Sequence, residues 1–361
     1  MDSGRGTRES TVMTVDRVGG SSDAAEHRRL RALDLVGLAL VLANAGWAVG
    51  AARISGGDPM PFAWTLLAAG LAAIVARGVG GAAAWLPPTA VAAAGAFLLV
   101  QDPAGILTGA PRTGPFGFSS ITGAFYAQCA VGAAMVAAVQ RTFPARHVAV
   151  VAAAGFAFVL IQTDTRSATA LLVVLGAATL VARGWDRRAF VLTCSALFVG
   201  ALGFTLVAGA DFSRGPSSGR VADFAQMYLS DRRVGFWRDG LMIMVEHPLA
   251  GVGPGNFARF SPEALSDPDE PWAHNAFLQQ GSETGVPGFA LLLLLFLWAF
   301  ARLAAARPSA TTVLGAVALT SLAVQACIEY VLQRPAVPIA AAALLGSALA
   351  ERSGRGPDPR L

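Results

Sequence analysis

Residues 189–210 read AFVLTCSALFVGALGFTLVAGA, with no charged position, between Arg187-Arg188 and Asp211. As a helix rising about 1.5 Å per residue, such a run crosses roughly 30 Å of hydrocarbon. Helices satisfy their backbone hydrogen bonds internally, which is why lipid selects them. The pattern recurs at 33–52, 61–77, 82–100, 119–140, 146–163, 167–182, 285–305, 310–331 and 335–350. Pro87-Pro88 interrupts the run at 82–100, and Thr163-Asp164-Thr165-Arg166 separates two others. Only 14% of the residues are charged, against about 25% in soluble domains, so an ordinary soluble globule is excluded. The predicted fold is an all-α polytopic membrane protein of about ten transmembrane helices. One long extracytoplasmic loop is expected to carry short amphipathic helices.

All 27 basic residues are arginines. With residues 1–32 in the cytoplasm, ten crossings put Arg77, Arg141, Arg146, Arg183, Arg187, Arg188, Arg302, Arg307, Arg352, Arg355 and Arg360 inside. Short loops rich in arginine stay inside, so count and orientation agree. The expectation is a multi-pass protein of the cell membrane with both termini cytoplasmic, and with Arg166 and the loop outside. The chain divides into a disordered tail at 1–32, a transmembrane bundle at 33–210 and an outer loop at 211–272. C-terminal helices follow at 273–350 and a second tail at 351–361. Because the arginines are scattered among loops, nucleic acid is not an expected partner. Cys129, Cys194 and Cys327 all lie in predicted spans and read as core packing.

The outer loop is the hydrophilic exception. Ser230-Asp231 starts a helix predicted to run to Val245, with Val234, Trp237, Leu241 and Met244/Val245 on one apolar stripe. Such a stripe suits a helix lying on the bilayer surface, which leaves Arg232 and Arg233 to be explained. Gly251-Val-Gly253-Pro-Gly255-Asn-Phe257 lacks the Gly-Lys-Ser/Thr ending of a P-loop and reads as a tight turn needing positive φ. Asp267-Pro-Asp269-Glu270 could hold a cation, but also reads as the cap of a helix starting at Pro271. That helix, predicted to end at Gly285 before Pro287, would carry Asn275, Gln279 and Glu283 as one polar stripe. His274 sits near its start, where an arginine-rich loop would lower its pKa and keep it neutral. Arg166, near Asp164, must reach the interface or line a cavity, because an arginine in hydrocarbon costs about 2.5–3.5 kcal/mol. His247 and Glu329 have weaker claims: the first ends a helix, and the second could face the membrane surface.

Taken in order, these motifs resemble the O-antigen ligase superfamily, which includes O-antigen and exopolysaccharide polymerases. Thr163-Asp-Thr-Arg166-Ser167 is similar to its Thr-x-Ser-Arg-Gly, with Thr165 and Ser167 departing from the pattern. Arg233-Val-Gly-Phe-Trp237, Pro248-Leu-Ala-Gly251-Val-Gly253-Pro-Gly255-Asn-Phe257 and His274-Asn275 with Glu283-Thr-Gly285 follow. Gly114-Pro-Phe-Gly-Phe-Ser-Ser looks like a degraded form of a further motif. The resemblance implies a membrane glycosyltransferase that moves a glycan from a polyprenyl-diphosphate donor to the hydroxyl of a glycan or lipid-glycan acceptor, with inversion. It implies Arg166 and Arg233 on the departing diphosphate and His274 as the base. Asn275, Gln279, Glu283, Arg232 and Trp237 would contact substrate or orient the histidine. No cofactor, metal or nucleotide is implied. The alternative is a polytopic transporter or lipid-linked glycan flippase, which would place ionisable groups at the bilayer midplane in paired broken helices. Here the polar groups gather in one loop.

Overall fold

The computed structural model describes residues 16–103, 116, 119–140, 142–162, 186–212, 220–267 and 269–350. Its long helices are α1 (Asp16–Ser55), α2 (Met60–Ala82), α3 (Leu86–Gln101), α4 (Ser119–Val139), α5 (Phe143–Gln162) and α6 (Arg187–Phe212). Next come the short α7 (Arg220–Tyr228), α8 (Asp231–Glu246), α9 (Phe257–Phe260) and α10 (Pro262–Ser266). Last are α11 (Ala276–Ala304), α12 (Ala310–Ile328), a 3-10 turn (Val331–Gln333) and α13 (Ala336–Ala348). No strand occurs among the described residues. Seven of the helices are long and apolar enough to cross a bilayer, as in a multi-pass membrane protein. Two more apolar helices, α3 and α13, are shorter than a full span. The segment expected at 167–182 lies outside the described residues. Helix α1 reaches back to Asp16, into the stretch read as a disordered tail.

The bundle is built around α4 and α12, whose faces are buried on most sides. Both are rich in Ala, Gly, Ser and Thr, small residues that let helix axes approach closely where lipid offers little drive for association. The three cysteines are buried and unpaired. At one end of the bundle Asp34 of α1 accepts from Arg77 of α2 at 2.5 Å and from Arg302 of α11 at 2.7 Å. This pairing gives the wholly buried Arg302 a carboxylate partner inside the bundle.

At the opposite end α11 is broken. Gly285 has φ 73° and Pro287 has no N–H, so the carbonyls just before them lose their helical donors. The surrounding chain replaces each one. The N–H of Val252 donates to Ser282 O and that of Gly253 to Glu283 O, both at 2.9 Å. Trp47 Nε1 donates to Thr284 O at 2.7 Å, and Val286 N donates to Pro248 O at 2.8 Å. The glycine-rich turn read from sequence thus docks on a gap in a membrane helix. Gly251, at φ 63°, sits so close to that gap that a Cβ would fall 2.4 Å from the carbonyl carbon of Glu283.

Gly251→Ala is therefore expected to lower the melting temperature of the detergent-solubilised protein. The left-handed backbone alone costs an L-residue about 1–2 kcal/mol, and the collision adds to it. Gly46→Ala, in α1 with open space around it, should leave the melt unchanged. Equal melts for the two variants would contradict the docking of turn on helix break.

Candidate active site

Ser230 caps α8 by accepting from Arg233 N at 3.3 Å, as the sequence predicts. The apolar stripe of that helix does not lie on a bilayer. Val234 and Trp237 are wholly buried against α6, α7 and Leu278 of α11, and only the end of the stripe, Val245, is exposed. Packing turns the two arginines apart, since consecutive helical residues point about 100° from each other. Arg232 faces outward and donates to Asp267 at 2.6 Å. Arg233 turns inward and pairs with Glu329.

The helix expected from Pro271 begins instead at Ala276. Asn275, not Asp269 or Glu270, is its cap: its Oδ1 accepts from the N–H groups of Phe277 and Leu278, both at 3.0 Å. Its Nδ2 donates to Thr205 Oγ1 of α6 at 3.0 Å. Residues 271–275 are a loop, crossed by a hydrogen bond from Ala273 N to Gln279 Oε1 at 2.7 Å. Gln279 Nε2 donates to Glu283 Oε1 at 2.5 Å. Asn275, Gln279 and Glu283 are all buried, each with a partner inside the protein. As the sequence predicts, the first helical segment ends at Gly285, and the membrane-spanning part of α11 continues beyond that break.

His274 precedes the cap with φ 47°, a conformation that non-glycine residues rarely adopt. Trp237 Nε1 fixes it by donating to His274 O at 3.2 Å. The imidazole stacks on Phe236 (centroids 5.5 Å apart, planes at 30°) and meets Tyr330 edge-on at 5.1 Å. Its Nδ1 lies 3.2 Å from Glu329 Oε2. Its Nε2 is buried without a hydrogen-bond partner, with Glu270 Oε2 3.7 Å away.

Glu329, read from sequence as a surface candidate, is buried at the end of α12 and joins the two other groups. One carboxylate oxygen holds Arg233 and the other His274. Burial alone would raise its pKa, but the Arg233 charge and the His274 bond hold it below its usual range. Interaction with the His274 ring, 3.7 Å away, likewise lowers the Glu270 pKa, against burial. The expectation of a lowered His274 pKa is corrected. Burial and Arg233 do push it down, but Glu270 and Glu329 prevail and raise it above the ordinary value. The loop that looked arginine-rich delivers the Glu270 carboxylate to the ring and sends Arg232 away, while the end of α12 delivers Glu329.

Arg166 lies outside the described residues, as does the segment at 114–115. His247 is exposed at the end of α8, its ring beside Phe260. Asp267 is occupied by Arg232. An apolar cavity of about 530 Å³ lies between α1, α2, α11, α12 and α13, with Arg31, Asp34 and Arg77 on its wall. It contains none of the His274, Arg233 or Glu329 side chains.

A multi-pass helical protein with a buried His–Glu–Arg cluster at one end of its bundle is the class that fold and site define. Residues 148–293 match the family model described as O-antigen ligase, the family that the motifs of this segment resemble. The family is one of glycan ligases and polymerases of polysaccharide biosynthesis. The match takes in Arg233, Trp237, His274, Asn275, Gln279 and Glu283, and ends before Glu329. Comparison with curated proteins returns no match.

The two arginines should differ in energetic coupling. A double-mutant cycle over Arg233 and Glu329, followed by denaturation in mixed micelles, is expected to give about 1–3 kcal/mol. The more exposed Arg232–Asp267 pair should give under about 1 kcal/mol. The reverse order would contradict the orientation of α8 described here.

Proposed function

We propose that this protein is a glycosyltransferase that moves a glycan from a polyprenyl-diphosphate donor to an acceptor hydroxyl at the outer face of the membrane. One observation carries the reading: Arg233, a permanent planar cation, lies one carboxylate away from a buried imidazole whose Nε2 makes no hydrogen bond and faces Glu270 at 3.7 Å. A departing diphosphate calls for a donor such as Arg233, bidentate and always charged. Arg166 takes the same role by resemblance. The attacking hydroxyl calls for a nearby base, supplied by His274.

In the reaction the acceptor oxygen bonds to the anomeric carbon as the bond from that carbon to the phosphate oxygen breaks, with inversion. The electron pair leaves on polyprenyl diphosphate beside Arg233, and the hydroxyl proton passes to Nε2 of His274. Imidazolium then returns the proton to solvent. Asn275, Gln279 and Trp237 act by shaping the loop that holds His274, and Glu283 braces Gln279. Both termini are then cytoplasmic, and the divisions at 211–272 and 273–350 meet in one site rather than acting separately.

The raised pKa of His274 favours one rival within the same function: an imidazolium that holds the diphosphate as a second cation. The two readings have opposite pH signs. A base works only when deprotonated, so transfer should fall as pH drops through a value above the ordinary histidine figure of about 6.5. An imidazolium anchor would lose activity as pH rises through that value. His274→Ala should cut transfer by about 10²–10⁴-fold while donor still binds. Arg233→Lys, which keeps charge but not the fork, should weaken both donor binding and transfer. Near wild-type transfer by His274→Ala, or activity that falls as pH rises through the His274 pKa, would end the base assignment.

A further inference from the structure

Glu329 lies outside the segment that matches the family model, fifty-five positions from His274 in sequence. It is one of the few carboxylates with almost no exposed surface. Leaving an acidic group there is costly unless every lone pair has a use. Oε1 receives Arg233, and Oε2 stands 3.2 Å from Nδ1 of His274. A carboxylate only accepts hydrogen bonds. The contact at Nδ1 therefore requires the proton of neutral imidazole to sit on Nδ1, which leaves the Nε2 lone pair open. Phe236 and Tyr330 fix the ring plane from two sides, so the ring cannot turn to exchange its nitrogens without displacing both.

We propose that Glu329 is a positioning residue of the transfer reaction, holding His274 as its Nδ1–H tautomer while bracing Arg233 through its other oxygen. This rests on the reading of His274 as base. It also goes beyond that reading, because it ties the donor-side cation and the acceptor-side base to one carboxylate. A diphosphate that recruits Arg233 competes with Glu329 for it. The carboxylate is then left to His274 alone, which strengthens its hold on Nδ1–H and makes Nε2 more basic. Donor binding thus prepares the base. The Nε2 side is faced by the partly exposed Glu270 at 3.7 Å.

The test is nitrogen-15 NMR of histidine-labelled full-length protein in detergent, assigned by comparison with His274→Ala among four histidines in all. Neutral His274 in the wild type should be the Nδ1–H tautomer, and addition of inorganic diphosphate should raise its pKa. In Glu329→Gln the amide can donate to Nδ1. The Nε2–H tautomer should then appear, and the acidic limb of the pH–rate profile should move to lower pH. Transfer should fall by up to about 10⁴-fold, the scale seen when a catalytic imidazole is held in the wrong tautomer. Glu329→Asp should recover part of the rate.

A neutral wild-type His274 found as Nε2–H would overturn the proposal without any variant. So would a Glu329→Gln enzyme whose tautomer and pH limb match wild type, or one that loses donor binding with its pH limb unmoved. Because the tautomer is read without turnover, it still decides the role of Glu329 if His274→Ala proves active and the base assignment fails.

Discussion

The site depends on one buried carboxylate. Glu329 closes α12, Arg233 belongs to the first turn of α8, and His274 precedes α11, so three elements distant in sequence converge on two oxygen atoms. An isolated carboxylate at that depth would cost several kcal/mol. With two partners it becomes a fixed point that orients them. Removing either partner unbalances the other, which makes the cluster a structural element and a chemical one at once. The aromatic ring contacts from Phe236 and Tyr330, and the bond from Trp237 to the His274 carbonyl, then leave the imidazole little freedom.

The break in α11 gives the loop that leads to the cluster its anchor. Gly285 and Pro287 interrupt the helix just after its first turns, and the carbonyls released there are taken by Val252, Gly253 and Trp47. A membrane helix can tolerate such a break because neighbouring groups replace the lost hydrogen bonds. The bonds from Val252 and Gly253 anchor the first part of the loop between α8 and α11 to the bundle. At the other end of the bundle, Asp34 with Arg77 and Arg302 ties α1, α2 and α11 together. The helix that carries the site is thus clamped near both ends.

Much of this was legible in the sequence, and what was missed has a physical reason. Apolar length marked the long helices, and Ser230 and the glycine turn were read with their mechanisms. The start of α11 was misplaced because Asp269 and Asn275 are both good caps. Only packing against Thr205 and the loop chose Asn275. The apolar stripe of α8 was ambiguous, since lipid and a protein neighbour reward the same spacing. The charge around His274 was read with the wrong sign because adjacent arginines point in different directions on a helix. Glu329 carried a weak signal, a lone carboxylate ending an apolar run before Tyr330, and no spacing links it to His274.

The central claim is that this site breaks the bond between a glycan and a lipid diphosphate. The most direct measurement is phosphorus-31 NMR of the purified protein with a polyprenyl-diphosphate glycan and an acceptor glycan, without added metal. The account predicts that the diphosphate diester signal gives way to free polyprenyl diphosphate, in step with an acceptor linked through an inverted anomeric carbon. A donor that stays intact while crossing a reconstituted bilayer would contradict it and make the protein a transporter.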